Sequence, residues 1–348
     1  MKSSTMTSME RVLTTLGHKE PDRVPLFLFA TMHGAKELGI SIEEYFSKSD
    51  NVVEGQLRIR KKYNNDCIYA FYYAAIEIEA FGGTVIFSED GPPNAGSPFI
   101  RNFDTISNLQ PPKINDAKPL LKVLSSIQKL KESVKEDVPI IGVVMSPFSL
   151  PVMQLGFDKY FDLMYFHEDL FDRLMKVNEE FCVNWANSQL EAGATAICYF
   201  DPVSSPTIIP RDKYIKTGFN IAKRTLSRIK GPTATHFASG NSLPIINDII
   251  QTGTAIVSAS TFEDISLIKK ACGNKLTVLG NLNGVEMRRW TKESAHQIVR
   301  DLIRQAAPGG GFILSDNHGE IPFQVPDEVL LSITEAVNVY GKYPMISS

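Results

Sequence analysis

The sequence is poor in cysteine. Four residues in 348, Cys67, Cys182, Cys198 and Cys272, lie far apart and form no C-x-x-C pair. They read as reduced intracellular thiols, which excludes a disulfide scaffold. Long apolar runs are also missing: no stretch reaches the roughly 18 uninterrupted apolar residues of a membrane span. The opening MKSSTMTSMERVLTTLGHKEPDRVP meets Glu10 and Arg11 before any signal-peptide core. Secretion and membrane spanning are therefore disfavoured, and the expected location is cytoplasmic. Charge of one sign is lacking as well. The 36 Lys and Arg against 39 Asp and Glu leave a net charge of -3 and a pI near 6.1, with no basic stripe. Neither nucleic acid nor a membrane surface is an expected partner. Three motifs are absent: G-x-G-x-x-G after a strand, G-x-x-x-x-G-K-[ST], and G-x-S-x-G. Dinucleotide binding, P-loop phosphoryl transfer and α/β-hydrolase chemistry drop out with them.

What is present is a rhythm in a globular composition, 43% hydrophobic and 22% charged. Short, nearly continuous apolar runs at 25–29, 66–72, 139–145, 194–200, 232–238, 255–260, 277–282 and 311–315 alternate with longer amphipathic stretches such as 169–190, 211–229, 242–250, 262–272, 292–306 and 326–340. Apolar continuity suits strands buried on both faces of a parallel sheet. Gly193, Pro232, Gly253, Gly273 and the run Gly309, Gly310, Gly311 sit just before strands. Eight βα units without a linker predict one α/β domain over 1–348, a (β/α)8 TIM barrel, with a doubly wound sheet as the alternative. Two additions stand out: an N-terminal helix over 6–17, and a strand-like insertion over 76–103, read as a β-hairpin beside the barrel mouth.

In a parallel barrel, chemistry belongs at the C-terminal ends of the strands. That rule selects Met32 and His33; Glu77 and Glu79; Ser146; Asp201, Ser204 and Ser205; His236, Ser239 and Asn241; Ser260; Asn281 and Asn283; and Asp316, His318 and Glu320. Of six histidines, His236 and His318 fall at strand ends. His18 precedes the first strand, His33 lies in a loop, and His167 and His296 lie in helical segments. Two imidazoles with a carboxylate could form a two-His, one-carboxylate metal site. On pattern alone the same histidines suit hydrogen-bonded barrel positions better, while Glu77 and Glu79 also suit solvated strand positions and Asp201 the opening of a turn. Tyr72, Tyr73, Phe148, Tyr199, Phe237 and Phe323 read either as an apolar pocket lining or as barrel core.

The segments MTSMERVLTTLGHKEPDRVPL, IEIEAFG, DPVSSPTIIPRDKY, THFASGN and ILSDNHGEIPFQVP, in this order along nearly the whole chain, resemble the uroporphyrinogen decarboxylase superfamily. Within it they look most like the corrinoid-dependent methyltransferases, including the methylcobalamin:coenzyme M enzymes. The resemblance implies a (β/α)8 barrel with its cleft at the C-terminal face. The decarboxylases carry arginines after the first strand to hold the substrate's carboxylates. Here that stretch reads FLFATMHGAKE, without arginine. The coenzyme M enzymes hold zinc through a His-x-Cys and a later Cys. Here His236-Phe237-Ala238 and His318 stand at those positions, so sulfur is replaced by Ala and His. Such a site suits an oxygen-bearing substrate.

The resemblance thus implies methyl transfer between a small methylated substrate, with a methyl ether favoured, and the cobalt of a corrinoid on a separate protein. The expected catalytic residues are His236, His318, Asp201 and Glu77. Substrate contacts are expected from Met145, Tyr199, Asn241, Asn281 and Tyr73. Zinc is expected on His236, His318 and Glu77, with Asp201 the second choice of carboxylate. A decarboxylase with altered substrate, a methylcobalamin:thiol methyltransferase and a non-catalytic barrel remain alternatives, and homodimer formation is left open.

Overall fold

The computed structural model describes residues 6–345. Eight parallel strands form a nearly closed barrel. They are β1 (Leu26–Phe27), β2 (Ile68–Tyr69), β5 (Ile140–Met145), β6 (Ala196–Phe200), β7 (Thr233–His236), β8 (Ile256–Ser258), β9 (Thr277–Leu282) and β10 (Phe312–Asp316), hydrogen-bonded in the order β1-β10-β9-β8-β7-β6-β5-β2. Each falls within or against one of the eight apolar runs. The remaining strands, β3 (Val85–Ile86) and β4 (Asn94–Ala95), pair antiparallel as the hairpin of the insertion. No described helix is long and apolar enough to cross a membrane.

The helices packed around the strands are α1 (Ser8–Leu16), α2 (His33–Leu38), α3 (Ile42–Ser47), α4 (Ser49–Tyr63), α5 (Ile76–Ala80), α6 (Lys118–Val134), α7 (Pro151–Leu155), α8 (Phe157–Phe166), α9 (Glu168–Glu191), α10 (Arg211–Lys216), α11 (Gly218–Leu226), α12 (Ile246–Ile249), α13 (Ile265–Cys272), α14 (Lys292–Ala306) and α15 (Asp327–Tyr340). Helix α1 starts on a capping box between Thr7 and Glu10. It carries Val12 and Leu16 against Phe27, Ile197, Leu279 and Ile313, closing the floor of the barrel with apolar side chains. Helix α9 buries Leu174, Phe181, Cys182 and Trp185 at helical spacing.

The barrel closes between β1 and β2 mainly through side chains, beside one backbone bond from Asp66 N–H to Leu26 O at 2.8 Å. Asn65 Oδ1 accepts from Leu28 N–H at 3.0 Å and its Nδ2 donates to Leu28 O at 3.1 Å, so one amide stands in for a ladder partner. Asp66 accepts from Leu26 N–H at 2.8 Å and pairs with Arg23 at 2.7 Å and with Arg11. This explains why the run 25–29 yields only two strand residues: a side chain cannot extend a ladder.

Three expectations are corrected here. The insertion does not begin as a strand: IEIEA folds as α5, closed by Phe81 N–H on Glu77 O at 3.1 Å, and only then turns into the hairpin. The Ile-Glu alternation imitates a strand, but a helical turn after β2 buries Ile76, Glu77 and Ile78 together. The stretch 211–229 divides at Thr217 into α10 and α11, and His33 opens α2 instead of lying in a loop.

Candidate active site at the strand C-termini

His236 ends β7, fully buried, with its ring stacked on Phe200 at 4.5 Å and tilted towards Phe29 at 5.5 Å. The pairing is set by register, because Phe200 and His236 are direct partners on β6 and β7. Ala238 adopts a left-handed φ of 51°, which brings its N–H onto His236 Nδ1 at 3.0 Å. Nδ1 is thereby an acceptor, and the ring's proton resides on Nε2. Nε2 is buried and has no partner. Burial, helped by the nearby His318, pushes the His236 pKa down to about 3. The imidazole is thus a neutral ring presenting one unspent N–H.

His318 lies on the loop after β10, with its pKa lowered by burial. In the amide orientation that satisfies its surroundings, Asn317 donates to His318 Nδ1 at 2.8 Å and to Leu282 O at 3.2 Å, which leaves the second imidazole's proton on Nε2 as well. Asp316 shapes the loop: Oδ1 accepts from Phe29 N–H, and Oδ2 from the N–H groups of His318 and Gly319, each at 3.2 Å. Gly319 has φ of 88°, and a Cβ there would meet the Phe200 ring at 2.1 Å, so only glycine lets the loop pass. Burial holds the Asp316 carboxyl up at about 7, and burial with Asp316's charge holds Glu320 at about 8. Glu320 Oε1 is buried without a partner.

The aromatic wall consists of Phe29, Tyr69, Phe71 and Phe200. Phe29 stacks on Tyr69 at 4.6 Å, and Phe71 lies parallel to Phe200 at 6.3 Å. The sequence had offered Tyr72, Tyr73, Phe148, Tyr199, Phe237 and Phe323, as pocket lining or as barrel core. Tyr72 donates to or accepts from Ser126 of α6 at 2.7 Å, and Phe148 packs edge-on against Tyr160 and Phe171. Phe323 lies by His33, at 6.3 Å between centroids. The signal that finds the right residues is period two: once His236 faces inward, its ladder partner Phe200 does too and Tyr199 does not.

The other expected residues take separate places. Glu77 does not join the histidines. Its Oε1 accepts from Met145 N–H at 2.9 Å, and it lines a small cavity with Trp185 and Gln189 of α9. Burial pushes its carboxyl up to about 8, against the pull of Met145 N–H and the Trp185 indole. It is therefore neither a solvated strand residue nor part of a ligand set with His236. Asp201 is likewise spent: Oδ1 accepts from Ser146 Oγ at 2.6 Å and Ser149 Oγ at 2.8 Å, fixing the loops after β5 and β6 to each other. Met145 is the strand end held by Glu77. Tyr199 turns its hydroxyl, buried without a hydrogen-bond partner, towards the helix layer, where burial first, and then Asp201 with α9's Cys182 and Glu179, raises its pKa. Tyr73 donates to Glu79 at 3.1 Å and meets Phe87 of the hairpin. Asn241 tethers the loops after β6 and β7 through Thr207 Oγ1 and Ser205 Oγ. Asn281 donates to Ser260 O at 2.9 Å and faces a separate cleft.

A zinc ion, implied by the resemblance, finds no matching donor set: among the described residues no group of three or more His, Cys, Asp or Glu side chains converges. The carboxylates expected to complete it are turned onto Met145 N–H and the two serines. A wide cleft at the opposite end of the barrel, around Arg11, Arg23 and Arg60, contains none of the candidate residues.

Fold and site together define a (β/α)8-barrel protein with neutral imidazoles and stacked aromatics at the mouth. A family model, "Uroporphyrinogen decarboxylase (URO-D)", matches residues 7–340, and the chain belongs to that family. It is 24% identical over 287 residues to the methylcobamide:CoM methyltransferase MtaA of Methanosarcina barkeri, covering 80% of this chain and 84% of that protein. It is 23% identical over 348 residues to the uroporphyrinogen decarboxylase of Magnetococcus marinus, covering 93% and 95%. A solved methyltransferase from Methanosarcina mazei superposes with a TM-score of 0.80 at 19% identity, over 96% of this chain and 99% of that one.

Proposed function

We propose that this protein moves a methyl group between a small methylated substrate, a methyl ether, and the cobalt of a corrinoid bound to a separate protein. The observation that carries this reading is the buried, neutral His236 with its unpartnered Nε2–H among stacked aromatics. Transfer to the cobalt(I) of the partner protein's corrinoid, the methyl acceptor, would form a cobalt–carbon bond and break the carbon–oxygen bond, whose electron pair would pass to oxygen. A preorganised donor aimed at that oxygen stabilises the charge as it grows. His236 Nε2–H meets this requirement without having to give up a proton, and His318 supplies a second donor from the facing loop. The apolar wall of Phe29, Tyr69, Phe71 and Phe200 suits an uncharged donor and excludes water from the reacting centre.

Relatives of both kinds, methyltransferases and decarboxylases, resemble this chain. The decarboxylase reading requires cationic groups for several substrate carboxylates. In the stretch after β1 the one basic side chain, Lys36, is occupied with Val325 O at 3.2 Å and lies over the Phe323 ring. The test is methylcobalamin formation, followed spectroscopically, from reduced corrinoid protein with methoxylated aromatics, methylated amines and methyl thiols. Turnover of ethers is expected. Turnover of amines or thiols alone would replace the donor, and carbon dioxide release from a porphyrinogen without methyl transfer would replace the reaction.

A further inference from the structure

Outside the mouth, between the loop after β8, the end of β9 and α14, lies a cleft of about 420 Å³. Its residues are Thr261, Glu263, Asp264, Ile265, Asn281, Asn283, Glu286, Trp290, Ile298, Leu302 and Gln305, so three carboxylates and no basic side chain line it. The carboxylates are not equally free. Asp264 caps α13 through Ser266 N–H at 2.8 Å, and Glu263 accepts from the N–H groups of Ser242 and Leu243, both at 2.8 Å. Neither bond removes the negative charge. Glu286 meets only Arg289, at 3.4 Å, and that arginine side chain is 75% exposed.

Asn281 supplies an independent sign of a ligand. Its side chain is almost wholly buried, Nδ2 donates to Ser260 O at 2.9 Å, and Oδ1 has no partner. A buried acceptor left unpaired costs about 1–3 kcal/mol, which a bound donor would recover. On the other side the indole of Trp290, with Ile298 and Leu302, offers an apolar and π-rich wall.

The requirements are a positive charge, N–H donors and an apolar body. We infer that this cleft binds a protonated alkylamine, with its N–H groups directed to Asn281 Oδ1 and the Glu286 carboxylate and its alkyl part laid on Trp290. A primary ammonium offers three donors. A quaternary ammonium has none for Asn281, an alcohol lacks the charge, and a carboxylate is repelled. The site lies apart from the histidines and does not depend on which methyl donor they serve.

Calorimetric titration with n-butylammonium chloride tests this, with tetramethylammonium chloride and n-butanol as comparators at fixed ionic strength. Saturable binding of butylammonium is expected, tighter than either comparator. Trp290→Ala should weaken it about tenfold, the order expected when the apolar contact between an indole and a short alkyl chain is lost. Glu286→Gln, at a half-exposed position where folding is not at stake, should weaken it by about threefold to tenfold. Absence of saturable binding overturns the inference. So does binding that Glu286→Gln leaves unchanged, and so does equal affinity for butanol, which would mark a plain apolar groove.

Discussion

At the scale of single residues the site works by keeping ionisable groups neutral. His236, its pKa held near 3 by burial, stays uncharged throughout the neutral range, and under the proposed function it acts as a hydrogen-bond donor, not as an acid that titrates. His236→Phe preserves the ring stack and removes the donor; methyl-transfer rate should fall by about 10²–10³ while donor KM changes little, because the oxygen's charge appears mainly in the transition state. The wild-type rate should show no His236 titration between pH 5 and 8. A rate declining through pH 6–7, abolished in the variant, would make His236 a true general acid. His33 gives a stability prediction. It is fully buried, both ring nitrogens lack partners, and its pKa is pushed down to about 4 from 6.5. Between those values the unfolded chain binds the extra proton, so the contribution is complete above pH 6.5 and is lost as pH falls towards 4, by up to about 3 kcal/mol. Urea midpoints of the wild type and His33→Leu, compared at pH 7 and pH 4.5, should show the smaller acid loss in the variant. Parallel losses would refute the assignment.

At the scale of elements, the seam between β1 and β2 and the loop after β10 carry the arrangement. Asn65 satisfies both backbone groups of Leu28, so Asn65→Ala leaves a buried N–H and a buried C=O unpaired. The expected cost is about 2–4 kcal/mol, read as a shifted urea midpoint at unchanged slope. A loss under about 0.5 kcal/mol would mean that the seam relaxes or admits water. The seam matters to the site because Phe29, one residue beyond Leu28, donates to Asp316 and accepts from Ile321 N–H at 2.9 Å. The first strand's end and the His318 loop are thus tied together. Glu77 and Asp201 play similar parts on the other side, fastening α5 to β5 and the β5 loop to the β6 loop.

At the scale of the whole molecule, the barrel separates support from chemistry. The floor is closed by α1, the eight strands set a ladder of alternating faces, and the loops at the far end bring His236 and His318 within electrostatic reach of each other. Among the described residues, the donor set at that end lacks the convergence a zinc ion needs. Methyl transfer from the ether to the corrinoid protein should therefore survive dialysis against a chelator. Activity lost on dialysis and restored by stoichiometric zinc would show that the loops close into a metal site when substrate binds.

Much of this was legible in the residues themselves. Apolar continuity and Gly/Pro punctuation determined eight βα units, because a strand buried on both faces must be apolar throughout. The strand-end rule singled out His236 and His318. What required the tertiary structure was direction. Glu77 and Asp201 stand at strand ends as expected, yet their carboxylates turn onto Met145 N–H, Ser146 and Ser149. Tyr199 and Phe200 are neighbours in sequence, and only the cross-strand register with His236 shows that Phe200 builds the wall. The charge state of His236 was equally out of reach, since it depends on burial and on Ala238's left-handed N–H. Local sequence determines periodicity and so the elements; which face a side chain presents, and what it meets there, follows from long-range packing.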